Sequence, residues 1–435
     1  MLGLRKKLEE LENINKPIRV GLIGAGLMGK GLVSQLMRVR GMEPSVVVSN
    51  KIADCIKAFE LAGVPKERIV TADSAKEIDK AIENGKFAVL EDYHTAVEAG
   101  LIDVIVDATG VPEAGAGIAF ESIRNQKHIV MLNVEADVVV GPYLNSLAKK
   151  ACVVYTGSAG DEPGAVMELY DFAKASGFEV LAIGKGKNNP LDRYITPPQV
   201  EGRAYNSGLK PSRLVSFIDG TNTMVEMAAM SNATGFLPDI RGGHGPHTYV
   251  EELPEVFSLK KDGGILNRYG IVDYAFGIAP GVFAIITTDS PLVHGEMNFL
   301  KMGAGPNYVL FRPYHLTSLE TPISIAKAAI YKTGSIVPEK PVPVSEVIAI
   351  AKKDLKKGES FDGIGEHSVY GSLDSYQTAR TEGFVPIGLI NSNAKAKRDI
   401  SRDEIITYDM IDLDETTEVF RLRKLMERSH QVLTK

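Results

Sequence analysis

Two lysines one residue apart, Lys185 and Lys187, close an apolar stretch in Gly184-Lys185-Gly186-Lys187-Asn188-Asn189. An ordinary lysine holds its proton too tightly to serve as a base near neutral pH, and burial beside a second cation loosens it. One of the pair is therefore a candidate proton carrier at a substrate oxygen, and the other a candidate grip on a substrate phosphate or carboxylate. Two solvated loop lysines are the plain alternative. Asp219, Asn222, Glu226 and Asn232 fall in one further stretch. If 222–231 is helical, Asn222 and Glu226 share a face four residues apart. Glu226, inside Met224-Val225-Glu226-Met227-Ala228-Ala229-Met230, is either paired or functional if buried, or lies on the exposed stripe of an amphipathic helix. Arg312 and His315 flank Pro313; the guanidinium suits two-pronged capture of an anion, while His315 serves equally well as a structural residue. Lys185, Lys187, Asp219 and Glu226 are thus the catalytic candidates, and Asn222, Asn232, Arg312 and His315 the substrate-binding ones. His244 and His247 lie three apart on a Gly-Pro loop with no third ligand in sequence; no metal is assigned to them, and a loop closing over substrate is the expectation.

A second constellation is Gly24-Ala25-Gly26-Leu27-Met28-Gly29, the G-x-G-x-x-G pattern directly after an apolar run. Gly24 allows a tight turn, Gly26 lets backbone approach a pyrophosphate, and Gly29 allows helix to pack closely on strand. The helix N-terminus offers free N–H groups to the anion, so Leu27 and Met28 join the contacts. An acidic residue at the end of the second strand would read the ribose hydroxyls of NAD. Ser49-Asn50-Lys51 stands there instead, so Asn50 and Lys51 point to NADP, with NAD the alternative. Thr109, Gly110 and Asn133, at later strand ends, complete the expected cofactor contacts.

Strands must position these groups. Ile18–Ile23, Ser45–Val48, Val89-Leu90, Val104–Val106 and Ile129–Met131 alternate with helical stretches, the first of them over 30–39. That order predicts an α/β fold, a Rossmann doubly wound parallel sheet with right-handed crossovers. The segment 58–98 is long for one crossover and is expected to hold two helices. From Cys152 the texture becomes α+β, with strands Val180–Ile183 and Phe283–Thr287. A third shift follows near residue 335, at Pro338, Pro341 and Pro343. The expected domains are 1–155 for the dinucleotide, 156–335 for catalysis and dimerisation, and 336–435 as a small β-rich module. In that module Ala351-Lys352-Lys353-Asp354-Leu355 with Gly358-Glu359 resembles Ala396-Lys397-Arg398-Asp399-Ile400 with Asp403-Glu404, which predicts internal pseudo-symmetry. Net charge is −6 over 435 residues, so the surface as a whole repels nucleic acid and anionic lipid. No apolar run approaches a membrane span and no leader is visible. The two cysteines, Cys55 and Cys152, are expected to be buried free thiols in a reducing cytoplasm.

The order of elements through Asn133-Val134-Glu135 and Tyr155-Thr156-Gly157-Ser158-Ala159-Gly160-Asp161-Glu162-Pro163-Gly164 resembles homoserine dehydrogenase, although Val134 replaces that family's lysine. With Asp219-Gly220-Thr221-Asn222-Thr223, Ser231-Asn232-Ala233-Thr234-Gly235, Arg312-Pro313-Tyr314-His315-Leu316 and the paired C-terminal segments, the chain is similar to homoserine-dehydrogenase-like oxidoreductases bearing a C-terminal SAF domain. That group includes the enzymes that resemble deoxyxylulose phosphate reductoisomerase, of isoprenoid biosynthesis. The resemblance implies an NADP-dependent oxidoreductase acting on a small, polar, plausibly phosphorylated carbonyl or hydroxy compound, in a homo-oligomer. It also implies a lysine of the catalytic domain in proton transfer. A dehydrogenase of a semialdehyde or sugar-derived hydroxy acid is the alternative within the enzymes, and a non-catalytic NADP-binding sensor the alternative outside them.

Overall fold

The computed structural model describes residues 3–433. The chain forms two compact, discontinuous units: 1–161 with 316–337 and 421–435, and 162–315 with 338–420. The stretch from residue 336, expected as one module, is therefore shared between them.

The first unit is built on a sheet of seven strands: β1 Ile18–Ile23, β2 Met42–Val48, β3 Ile69–Thr71, β4 Phe87–Leu90, β5 Val104–Asp107, β6 His128–Met131 and β7 Tyr155–Gly157. Their order is β3-β4-β2-β1-β5-β6-β7, and every neighbouring pair is parallel. Near-continuous apolar runs make these strands, because a sheet covered by helices on both faces buries both sides of each strand. Strand order reverses at β1, so the crevice over its carboxyl end is the topological switch point where such folds bind ligands. Helix Leu27–Leu36 begins a turn earlier than the expected residue 30, since Gly29 lies inside it. Between 58 and 98 the two expected helices are Ala75–Glu83 and Tyr93–Glu98, with β4 between them and a short edge strand, β3, ahead of both. The segment 316–337 returns to this unit, and Ile325 and Ala326 are buried in one core with Leu22, Leu32 and Val106.

Both cysteines are free, but only Cys55 is buried. Cys152 is exposed, with a left-handed φ of 57°, because it turns the chain after helix Val134–Lys150.

The second unit holds β8 Glu179–Gly186, β9 Ile271–Ala275, β10 Val282–Thr287 and β11 Tyr308–Arg312, in the order β11-β10-β8-β9. Only β8 and β9 run parallel. Strand β8 extends past the expected Ile183, so Lys185 lies within it, between Val282 and Tyr274. Helix Thr221–Thr234 runs between Gly220 and Gly235, both left-handed, with φ of 91° and 79°, a conformation glycine adopts without strain. All its residues except Asn222 are buried. Such a helix is central rather than amphipathic, which removes the exposed-stripe reading of Glu226. Strands β12 Ser345–Ala351 and β13 Val369–Ser375 form an antiparallel pair, as do the short β14 Lys395–Ala396 and β15 Ile411–Asp412. Among the described residues, no helix is long and apolar enough to cross a membrane.

Candidate active site

The glycine motif divides its labour as the sequence implies. Gly24 has φ 109°, and a Cβ there would stand 2.6 Å from the backbone of Ala108. At Gly29 a Cβ would meet the Gly24 carbonyl oxygen at 1.9 Å, so that glycine sets the closeness of helix and strand. At Gly26 it would meet nothing within 4 Å. Gly26 also caps helix Leu27–Leu36 with no side chain bonded to the first-turn N–H groups. An open approach to an uncapped helix N-terminus fits a pyrophosphate, and Leu27 and Met28 are exposed beside it.

Asn50 and Lys51 are exposed past β2, where Lys51 precedes helix Ile52–Leu61. Sequence reading missed one neighbour: Val48 pairs with Leu90 of β4, so exposed Glu91 follows at the adjacent strand end. Its signal, an acidic residue directly after an apolar strand, went unused because the sheet order was unknown. Thr109 donates its hydroxyl to Asp107 at 2.7 Å, and Gly110 is exposed with φ 64°. Burial lifts Asp107 to about 6, although Thr109 and Asn133 hydrogen-bond to it. Asn133 is fully buried; its amide donates to Asp107, Thr109 and the Val111 carbonyl, and its oxygen accepts from the Ala136 N–H. Its side chain ties the ends of β5 and β6 together.

The catalytic candidates converge in the second unit. Lys185 Nζ donates to Glu162 Oε1 at 2.7 Å and to Glu226 Oε2, and all three groups are nearly out of solvent. The ammonium thus sits between two carboxylates, where a cation site would otherwise form. Burial opposes its charge, but Glu162 and then Glu226 outweigh that and push Lys185 above the usual lysine range. Burial raises Glu226, Glu162 raises it further, and Lys185 pulls the other way. Asn222 donates to Glu226 Oε1 at 2.6 Å, the expected partner one turn away. His315 Nδ1 lies 2.8 Å from the Pro280 carbonyl, which can only accept, so Nδ1 carries a proton. Its Nε2 then faces Glu162 Oε1 at 3.4 Å.

Lys187 is in the opposite state. It is buried, and Nζ donates to the Phe217 carbonyl at 2.6 Å. Burial, with the Lys185 charge next, lowers it to about 8, and Glu226 and Asp219 recover part of the shift. It lines a pocket of about 440 Å³ with Asn188, Pro190, Leu191, His247, Phe276 and Gly277. The His247 ring stacks on Phe276, centroids 4.6 Å apart. Of the two lysines, Lys187 is the one that can exchange a proton near neutral pH.

The remaining candidates are engaged elsewhere. Asp219 pairs with Lys352 Nζ at 2.8 Å and accepts the Thr221 N–H. Asn232 Oδ1 accepts the Val344 and Ser345 N–H groups, tying its helix to β12. Arg312 is bonded to Glu168 Oε2 at 3.0 Å and lies over the Tyr314 ring, so an anion there would share the guanidinium with a carboxylate. His244 ring Nε2 is bound to Asp239, while its backbone N–H donates to Asp273; the loop expected to close over substrate is pinned at that end.

A dinucleotide-type crevice in one unit and a lysine–carboxylate site in the other define the class as a Rossmann-type α/β protein. Residues 24–155 match the family model described as the NAD-binding domain of homoserine dehydrogenase, and residues 160–321 the model described as the catalytic domain of oxidoreductase DRL. A homoserine dehydrogenase of Methylobacillus glycogenes is 30% identical over 118 residues, which are 27% of this chain and 25% of that protein. The chain thus matches about a quarter of the length of this curated relative. Among solved structures, a probable dehydrogenase from Thermotoga maritima is similar at 17% identity, covering 62% of this chain and 72% of the other, with a TM-score of 0.36. A 3-ketoreductase from Actinomadura kijaniata, in complex with NADP and TDP-benzene, aligns at 12% identity over 73% of this chain and 91% of its own, with a TM-score of 0.38.

Proposed function

We propose that the chain is an NADP-dependent oxidoreductase of a small, polar, anionic carbonyl or hydroxy compound, with Lys187 as the proton carrier. The observation that carries this reading is the state of Lys187, lowered to about 8 and facing a pocket. Bound NADPH would supply the hydride. In reduction, Lys187 gives its proton to the oxygen of the carbonyl as that oxygen gains charge; in oxidation, the neutral amine removes it. Lys185 stays charged between Glu162 and Glu226, so it holds electrostatic order and does not exchange the proton. Asn50 and Lys51, with no carboxylate between them, support the preference for a 2′-phosphate. The match to the DRL catalytic domain supports an oxidoreductase, and the motifs' resemblance to the deoxyxylulose phosphate reductoisomerase-like enzymes favours a phosphorylated substrate and, as the particular case, a reductoisomerase of that type. In this reading the β-rich segment within 338–420 is a SAF-like module.

NADPH oxidation measured across phosphorylated ketoses, semialdehydes and keto acids tests the reading. Turnover of one class, lost by roughly 10² to 10⁴ in kcat in Lys187→Met with cofactor affinity unchanged, supports it. Near-normal kcat and KM in that variant overturn it.

A further inference from the structure

Lys352 follows β12 in the first of the two repeated segments, yet it does not behave like its counterpart. Lys397, at the equivalent position, is exposed and reaches Asp412 at 3.2 Å. Lys352 is buried, and its three ammonium protons have three acceptors: Asp219 Oδ2 at 2.8 Å, the Glu366 carbonyl at 3.0 Å and the Ile195 carbonyl at 3.1 Å. The repeat itself needs no buried lysine, since its other copy manages without one. Two of those acceptors, Asp219 and the Ile195 carbonyl, lie where the Lys187 pocket is made. Asp219 ends helix Pro211–Ile218 just past Phe217, whose carbonyl receives the Lys187 ammonium. Ile195 ends the loop that supplies Asn188, Pro190 and Leu191 to the pocket. That loop is joined to the same turn a second time, by the Asp192 N–H on the Ile218 carbonyl.

We infer that Lys352 is a positioning residue of the Lys187 site, fixing the turn 217–220 and the pocket wall 188–195 while neutralising Asp219 as an ion pair. The inference rests on the reading of Lys187 as proton carrier. Three charged groups act on Lys187 in this unit, Lys185 from β8, Glu226 from the central helix and Asp219 from the turn, and His247 lines the same pocket. Lys185 lowers Lys187, whereas Glu226 and Asp219 raise it. Without Lys352, the carboxylate of Asp219 is left uncompensated, and its pull on the Lys187 proton grows.

The test titrates Lys187 directly, by its rate of acetylation with acetic anhydride against pH, read by peptide mass spectrometry on the full-length protein. It needs no substrate, so it stands or falls apart from the assignment of the reaction. Lys352→Met is expected to move the Lys187 titration upward by about one pH unit. Lys397→Met should leave it where it is. Breaking a buried pair by removing one partner is destabilising, so the double variant Lys352→Met/Asp219→Asn, which leaves neither member of the pair charged, is measured beside it. That variant should return the titration to the wild-type value or below. An unshifted titration in folded Lys352→Met, or an upward shift that persists in the double variant, overturns the proposal.

Discussion

Leu355 and Ile400 exchange both of their backbone hydrogen bonds, at 2.8 and 2.9 Å. Around this pair the two repeated segments mirror one another. Asp354 accepts the Arg402 N–H and Asp399 the Lys357 N–H, at 2.8 and 2.9 Å. Glu359 accepts the Lys356 N–H and Glu404 the Ser401 N–H, both at 2.9 Å. Gly358 donates to the Ala396 carbonyl and Asp403 to the Ala351 carbonyl. Both donors have positive φ, 83° and 68°. Two copies of one turn thus cap each other, Asp354 and Asp399 each satisfying an N–H of the other copy while Glu359 and Glu404 each satisfy one in their own.

Asp354→Asn and Asp399→Asn should therefore lower the thermal midpoint by similar amounts, since each removes a charge-assisted bond to the partner turn. For Asp399 the sign with pH is fixed. Hydrogen bonding from the Lys357 N–H, then the Lys356 ammonium, holds it below its ordinary 3.8. A depressed carboxylate stabilises above its unfolded value and loses that contribution as pH falls through the folded one. The gap between wild type and Asp399→Asn, followed by circular dichroism, should be full at pH 6 and shrink below pH 4. A gap constant across that range would refute it.

Gly29→Ala tests the first unit. A Cβ there would lie 1.9 Å from the Gly24 oxygen, and backbone cannot yield as a side chain tip can. The helix must lift from β1, with a loss of about 1–3 kcal/mol of stability as for other overpacked sites. NADPH binding, followed by fluorescence, should weaken more steeply than stability falls. Asn50→Asp, by contrast, should leave stability unchanged and weaken NADPH by roughly tenfold through repulsion of its 2′-phosphate, with NADH little affected.

Much of this was legible in the chain because the signals were local. The run Ile18–Ile23, the glycine spacing and the paired Ala-Lys segments each carry their meaning within a dozen residues, and β1 has the expected bounds. What escaped depends on distant residues. Glu162 stood only within the run that carries the family resemblance, yet it completes the Lys185 site from the start of another helix. Asp219 looked catalytic because its partner, Lys352, lies far along the chain. Edge strand β3 is three residues, two half-buried and one exposed, too short for its own periodicity. Glu226 was ambiguous because a helix buried on all sides has no polar stripe to mark its direction.

Lys185 and Glu226 act on Lys187 with opposite sign, which gives a paired prediction. Lys185 lowers Lys187 and Glu226 raises it. Glu226→Gln should move the Lys187 titration downward, and Lys185→Met should move it upward, each by about a unit or less at the effective dielectric of such sites. Acetylation rates against pH measure both. Shifts of the same sign would show that repacking, not charge, governs the site.

The pH dependence of turnover follows from the same lysine. With Lys187 at about 8, the ammonium predominates at pH 7 and the amine at pH 9. Reduction needs the proton in place, so its kcat should be flat below pH 7 and fall roughly tenfold per unit above pH 8. Oxidation needs the amine, so its kcat should rise through the same pH and level off above 9. The two limbs must cross at one value, because they report one group in opposite roles. Replacing Lys187 by Met should remove this limb from both directions while leaving any slower, solvent-driven reaction without it. Steady-state rates from pH 6 to 10, at saturating cofactor, decide the matter. If oxidation and reduction both fell above pH 8, the group lost there would be a required cation and not the proton carrier.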